Sequence, residues 1–279
     1  MIHPFSHAPQ REHTGVKATD RQSSPHPPSD HRDSGPDRDT SRILDPSAPH
    51  LSGFAASDLT DRDAPVVLVI GAGPGVSGSV AKRFAREGYK AALVGLDEQV
   101  LVDLAADLES SSVGYAAVDV TDEDSLSAAV KHLGDRVGRF DVLHFNPSSY
   151  RAKNALALTA EELAQDISLG VGALLTALHA ARPYMSAGGR ITATGSMVAD
   201  VPNAMAASLG VQKAALRNLV HSIDSTLKDD GIRAVSVTVR GILAKDGAFT
   251  PDHVAQAIYT AATQDTTAWR TEVPYSGLP

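Results

Sequence analysis

The sequence predicts an α/β protein built on one doubly wound parallel sheet, behind a long polar tail. Three observations predict it. Composition changes abruptly near Pro65, short apolar runs then alternate with stretches of helical periodicity, and the first run ends in a Gly-rich turn. Strands separated by helices in this way are joined by right-handed crossovers. The strands therefore run parallel and both sheet faces are covered.

The tail comes first. Met1 to Asp63 hold half of the Pro and more than half of the His of the 279-residue chain, with Phe5 and Phe54 as the only aromatics. Such a segment buries too little apolar surface to offset chain entropy, so residues 1–64 are expected to be disordered. The tail has no apolar h-region and many Asp, so it resembles neither a secretory signal nor a transit peptide. Its histidines, among them His3, His7, His26 and His31, are read as solvated rather than as a metal site. Without Cys there is no disulfide framework and no thiolate zinc site. A net charge of −8 argues against a nucleic-acid surface. No apolar run approaches the roughly 18 residues of a membrane span. A cytoplasmic location is the expectation.

The domain spans residues 65–279. Val66 to Ile70 is a continuous apolar run, as a central strand buried on both faces requires. After the turn, Val76, Val80 and Phe84 recur at helical spacing, and Gly88 ends the helix. Lys90 to Val94 is a second strand, and Gln99 to Leu108 a helix with Leu101, Leu104 and Leu108 on one face. Val113 to Val120 is a third strand, Asp124 to Leu133 a helix, and Val142 to Phe145 a fourth strand. Ala160 to Met185 is a long helical region, and Arg190 to Thr194 a fifth strand. Lys213 to Lys228 is a helix with Leu216, Val220 and Ile223 facing inward. Ala234 to Val239 is a sixth strand and Pro251 to Thr263 a last helix. This is the Rossmann-type arrangement, in which ligands bind beyond the carboxyl ends of the strands.

The residues just after each strand therefore carry the functional reading. Gly71, Gly73 and Gly75 follow the first strand and open the first helix. Backbone N–H groups can approach a diphosphate closely only where no Cβ intervenes, and the helix N-terminus adds partial positive charge. Asp97 follows the second strand, where an acidic residue can bind the adenosine ribose of NAD. It could equally be a helix N-cap. No Arg or Lys follows that strand closely, which leans the choice from NADP towards NAD.

Further along, Ser196 stands just past the fifth strand, and Lys213 follows seventeen positions later with Leu209 four residues before it. In order and spacing, residues 65 to 277 resemble the short-chain dehydrogenase/reductase family. That family carries Gly-x-x-x-Gly-x-Gly after the first strand, here Gly71, Gly75 and Ser77. It carries an Asp-hydrophobic pair after the third strand, here Asp119-Val120. Asn-Asn-Ala-Gly follows its fourth strand, of which only Asn146 is matched here. The resemblance implies NAD or NADP as cofactor, held by Gly71, Gly73, Gly75, Val76, Asp97, Asp119, Val120, Asn146, Lys213 and Ile242. It implies Ser196 and Lys213 as catalytic residues, and a dimer or tetramer formed through the two long helices. The family's proton donor is a Tyr, and Leu209 stands in its place. Leu169 stands at the family's Asn, and Arg240 where Pro precedes Gly. A Leu neither gives nor takes a proton, so Tyr150, after the fourth strand, is the candidate substitute, with His144 as a second.

Three readings follow. The first is a divergent oxidoreductase acting on a small organic substrate through a non-standard proton donor. The second is a nicotinamide-binding protein with little catalysis, a sensor or oligomer partner. The third is an S-adenosylmethionine-dependent methyltransferase, because the Gly-rich turn, Asp97 and Asn146-Pro147 also resemble motifs of that family.

Overall fold

The structure, a computed structural model, describes residues 63–277; the predicted tail lies almost entirely outside the described residues. Seven strands form one sheet in the order β3-β2-β1-β4-β5-β6-β7, and every neighbouring pair is parallel. The strands are β1 Val66–Ile70, β2 Lys90–Gly95, β3 Ser112–Ala117, β4 Val142–Phe145, β5 Arg190–Ser196, β6 Arg233–Val239 and β7 Glu272–Tyr275. The helices are α1 Val76–Ala85, α2 Glu98–Leu108, α3 Glu123–Val137, α4 Ala160–Ile167, α5 Ala173–Ala181, α6 Ala207–Leu227 and α7 Pro251–Ala262. The doubly wound sheet is as expected.

Strand alternation divides the core. Leu68, Ile70, Leu143, Phe145 and Ile191 pack with the inward stripes of α3, α5 and α6. Val67, Val69, Leu93, Val235 and Val237 pack with α1, α2 and α7. Phe84 is fully buried there, edge-on to Tyr89 and Tyr259 at 5.0 and 5.1 Å. Burying one such side chain contributes roughly 1.5–3 kcal/mol.

Five differences from the sequence reading bear on the site. β5 runs on to Ser196, two residues past the expected end. β3 stops at Ala117, although the Val118 N–H still donates to Gly95 O at 2.7 Å. α6 begins at Ala207, so Leu209 lies in its first turn. The long helical region is broken by a π-helical turn at Ser168–Gly172. The stretch Ala160–Tyr184 is long and apolar enough to cross a membrane by length and composition alone, which corrects the expectation that no such run exists. In this fold it buries Leu174, Ala177 and Ala181 against the sheet.

β7 is a further difference, which the sequence reading missed. Pro274 cannot donate to a ladder, and such a residue is confined to edge strands, where β7 sits. It is held by Trp269, whose Nε1–H donates to Ala234 O at 3.2 Å. The indole also lies 5.3 Å from the Arg190 guanidinium and 5.0 Å from that of Arg233.

Candidate cofactor and catalytic site

At the end of β1 the Gly71 and Ala72 N–H groups donate to Val94 O at 2.9 and 2.8 Å. This draws the turn across the end of β2. Gly71 has φ +77°, and a Cβ there would stand 2.9 Å from the Pro147 ring. Gly75, the N-cap of α1, has φ +102° and open space where a side chain would stand. No side chain caps α1, and its first turn holds no acidic residue. The first N–H groups of that helix therefore lack internal partners and carry partial positive charge beside open space, which suits a diphosphate. Ser77, in place of the third Gly, is buried. Its hydroxyl donates to Gly73 O at 3.4 Å, so the helix stays against the turn, with Val76 buried at its start.

The two predicted acids serve local structure. Asp97 is the N-cap of α2 and accepts from the Val100 N–H at 3.1 Å. Asp119 accepts from the Thr121 N–H at 2.9 Å and from its hydroxyl at 2.7 Å. Both remain exposed at the carboxyl edge, and Val120 is buried beside Asp119. Leu96, 74% exposed, occupies the corner before Asp97. Asn146 continues β4, its N–H donating to Ile70 O at 3.1 Å.

On the other side, Ser196 Oγ accepts from the Val198 N–H at 3.4 Å. Lys213 is only 5% exposed. Its Nζ donates to Thr194 O at 2.8 Å, two residues before Ser196 on the same strand. An ammonium has three donors, and the other two find no hydrogen-bond acceptor among the described residues. Burial pulls the Lys213 pKa down to about 8. Leu209 lies half-buried one helical turn before it. Leu169, in the π turn, packs on the core.

The two candidate substitutes sit differently. Tyr150 is 68% exposed, and its hydroxyl makes no hydrogen bond to Lys213 or Ser196. His144 is fully buried. Its Nδ1 shares a 2.9 Å hydrogen bond with Thr192 Oγ1, while Nε2 has no partner. Burial first, and the Lys213 charge second, push its pKa down to about 3, so the imidazole is neutral. Ile242 is 84% exposed after β6.

Sequence reasoning missed the groups that fix the loops here. Gln212, fully buried beside Lys213, accepts from the Ser149 N–H at 3.0 Å and donates to Ser149 O at 3.1 Å. A Cβ on Gly170 would stand 2.5 Å from the Gln212 oxygen, so the π turn gives way to this amide. Arg151 forks onto Asp166 at 3.1 and 3.0 Å. Arg240 pairs with Asp200 at 2.9 Å, and Arg217 pairs with the other oxygen of the same carboxylate. A Gln one residue before an expected active-site Lys was the available signal. Among the described residues no group of three or more His, Asp or Glu could hold a metal.

The comparisons agree with this geometry. The family profile described as "short chain dehydrogenase" matches residues 65–246. The chain belongs to the short-chain dehydrogenase/reductase family, whose members bind NAD or NADP. It is 29% identical over 184 residues to short-chain dehydrogenase reductase 5 of Arabidopsis thaliana, covering 64% of this chain and 71% of that protein. It is 26% identical over 217 residues to momilactone A synthase of Oryza sativa subsp. japonica, covering 74% and 78%. Among solved structures, a short chain dehydrogenase from Burkholderia cenocepacia J2315 in complex with NADP superposes with TM-score 0.69 at 22% identity, covering 77% of this chain and 96% of that one.

Proposed function

We propose that this protein is an NAD(P)-dependent oxidoreductase, with NAD preferred, that interconverts a small organic carbonyl compound and its alcohol without the usual Tyr. The observation that carries this is Lys213: a buried cation with two open donors at the end of β5, beside Ser196, in a chain that keeps the Gly-rich turn. A reduced nicotinamide, when bound, supplies the hydride. Gly71, Gly73 and Gly75 with the α1 N-terminus would hold its diphosphate. Asp97 and Leu96 border the adenosine ribose and offer no cation for a 2′-phosphate, which supports NAD. Lys213 would bind the nicotinamide ribose, and Ser196 would donate a hydrogen bond to the reacting oxygen. Gln212 and Arg151 hold the post-β4 loop that walls the site.

Leu209 and Leu169 favour a second reading, a cofactor-binding protein with little turnover. Deuterium transfer from 4-deuterated NADH to a panel of aliphatic, aromatic and alicyclic aldehydes and ketones tests between them. Label in an alcohol product supports the oxidoreductase, and NADH binding without label supports the second reading. The methyltransferase reading is set aside, because the chain's family and its relatives are those of dehydrogenases and reductases.

We further propose a homo-oligomer in the cytoplasm. An apolar cleft of about 590 Å³ beside α6, lined by Val198, Pro202, Ala207, Val211 and Ala214, supports the oligomer.

A further inference from the structure

Reduction of a carbonyl needs a proton at the oxygen, and Leu209 cannot give one. Among the side chains near the ends of β4 and β5 that carry exchangeable protons, four come into question: Tyr150, His144, Ser196 and Lys213. Tyr150 stands largely in solvent. His144 is sealed in the sheet with Nδ1 committed to Thr192. Ser196 has a hydroxyl but no base hydrogen-bonded to it. Lys213 is the fourth. Its Nζ is anchored by Thr194 O at 2.8 Å, which lies about 6.6 Å from Ser196 by strand rise. Its other two protons have no acceptor among the described residues.

We propose that Lys213 is itself the proton donor for carbonyl reduction, and the proton acceptor in the reverse direction, in place of the missing Tyr. This rests on the oxidoreductase reading above. As hydride adds to the carbonyl carbon, the π electron pair moves to oxygen. The oxygen takes a proton from the Lys213 ammonium. Lys213 is left as a neutral amine and is reprotonated by solvent.

The surroundings suit this role. No carboxylate pairs with Nζ to hold its proton. Asp166 is closed onto Arg151, and Asp200 onto Arg217 and Arg240. Glu272 on β7 accepts from the Thr238 hydroxyl and faces Arg217. From β4 the facing titratable group is His144, which stays neutral. Burial alone sets Lys213 near 8, so its two forms are both accessible near neutral pH, where a general acid works best. The reduction rate should therefore fall as pH rises through about 8. The oxidation rate should rise over the same interval.

Lys213→Arg tests the proposal. Arg keeps the charge and the donors for a ribose, but its pKa above about 12 forbids proton release. We expect NADH binding, read by NADH fluorescence, to remain saturable, while carbonyl turnover falls at least ~10²-fold. A ¹⁵N-lysine NMR titration of the wild type should show an Nζ signal titrating near pH 8 that is absent from the variant. The variant's melting curve checks its fold. If it fails to fold, the wild-type titration and pH–rate profile still decide. Variant turnover within about tenfold of wild type, or a wild-type profile flat through pH 8, overturns the proposal and leaves the oxidoreductase reading intact. NADH binding with no hydride transfer in the wild type overturns both.

Discussion

The two halves of the carboxyl edge differ in what has been kept. On the adenosine side, the backbone carries the recognition. Gly71 and Gly75 hold positive φ angles, and the α1 N-terminus is uncapped. On the nicotinamide side, recognition depends on side chains, and these have changed. Leu209 and Leu169 are apolar, Pro147 packs onto Gly71, and Arg240 is tied to Asp200. A site made of backbone N–H groups tolerates wide side-chain change. A site made of an acid, a cation and a hydroxyl loses its chemistry with one substitution.

The largest expected effect comes from reversing that loss. Leu209→Tyr places a phenol one helical turn from Lys213. The phenol adds a better-placed proton donor beside Lys213, so turnover should rise, by less than the full ~10²–10⁴-fold of general acid catalysis, with cofactor affinity unchanged. No rise in steady-state turnover would mean that the nicotinamide side is altered beyond this one residue.

On the adenosine side, Gly75→Asp sets a carboxylate where the diphosphate would lie and strains the backbone. Losing charge-assisted hydrogen bonds of about 1.5–3 kcal/mol should weaken NADH binding roughly 10–100-fold by calorimetry. Unchanged affinity would place the cofactor elsewhere.

Two substitutions probe the scaffold between the halves. Gln212→Leu removes the partner of the Ser149 N–H and C=O in a half-buried loop, at a cost below the ~1–3 kcal/mol of a fully buried unpaired group. It should lower the denaturant midpoint and raise KM more than it lowers kcat. Asp224 is held below the usual carboxylate range despite burial, by hydrogen bonds from Arg233, the Ala234 N–H and Thr271. A depressed folded-state pKa gives stability that is present above the unfolded value of ~3.9 and lost as pH falls below it. Asp224→Asn should therefore flatten the acid limb of a stability–pH curve. The smallest effect belongs to Arg240→Ala, because partly exposed ion pairs contribute ~0.2–1 kcal/mol. It should shift the melting temperature by only a few degrees.

Much of this was legible in the sequence, for physical reasons. The central strands are apolar runs buried on both faces, and Val76, Val80 and Phe84 state the period of α1 directly. The Ser196–Lys213 spacing fixed which strand end and which helix hold the site. Other features depend on tertiary partners. β7 forms around a Trp held between two arginines. The π turn follows from the Gln212 amide, whose partner Ser149 lies 63 residues away. Asp97 and Asp119 lie at the edge; the cap that Asp97 makes was one of two readings the sequence allowed, while the Asp119 bonds to Thr121 were not read from it.

If the backbone half of the site holds a nicotinamide cofactor, equilibrium titration of the full chain with NADH and with NADPH, followed by cofactor fluorescence, should show one saturable site per chain, tighter for NADH and weakened in Gly75→Asp. No saturable binding of either cofactor would contradict this reading.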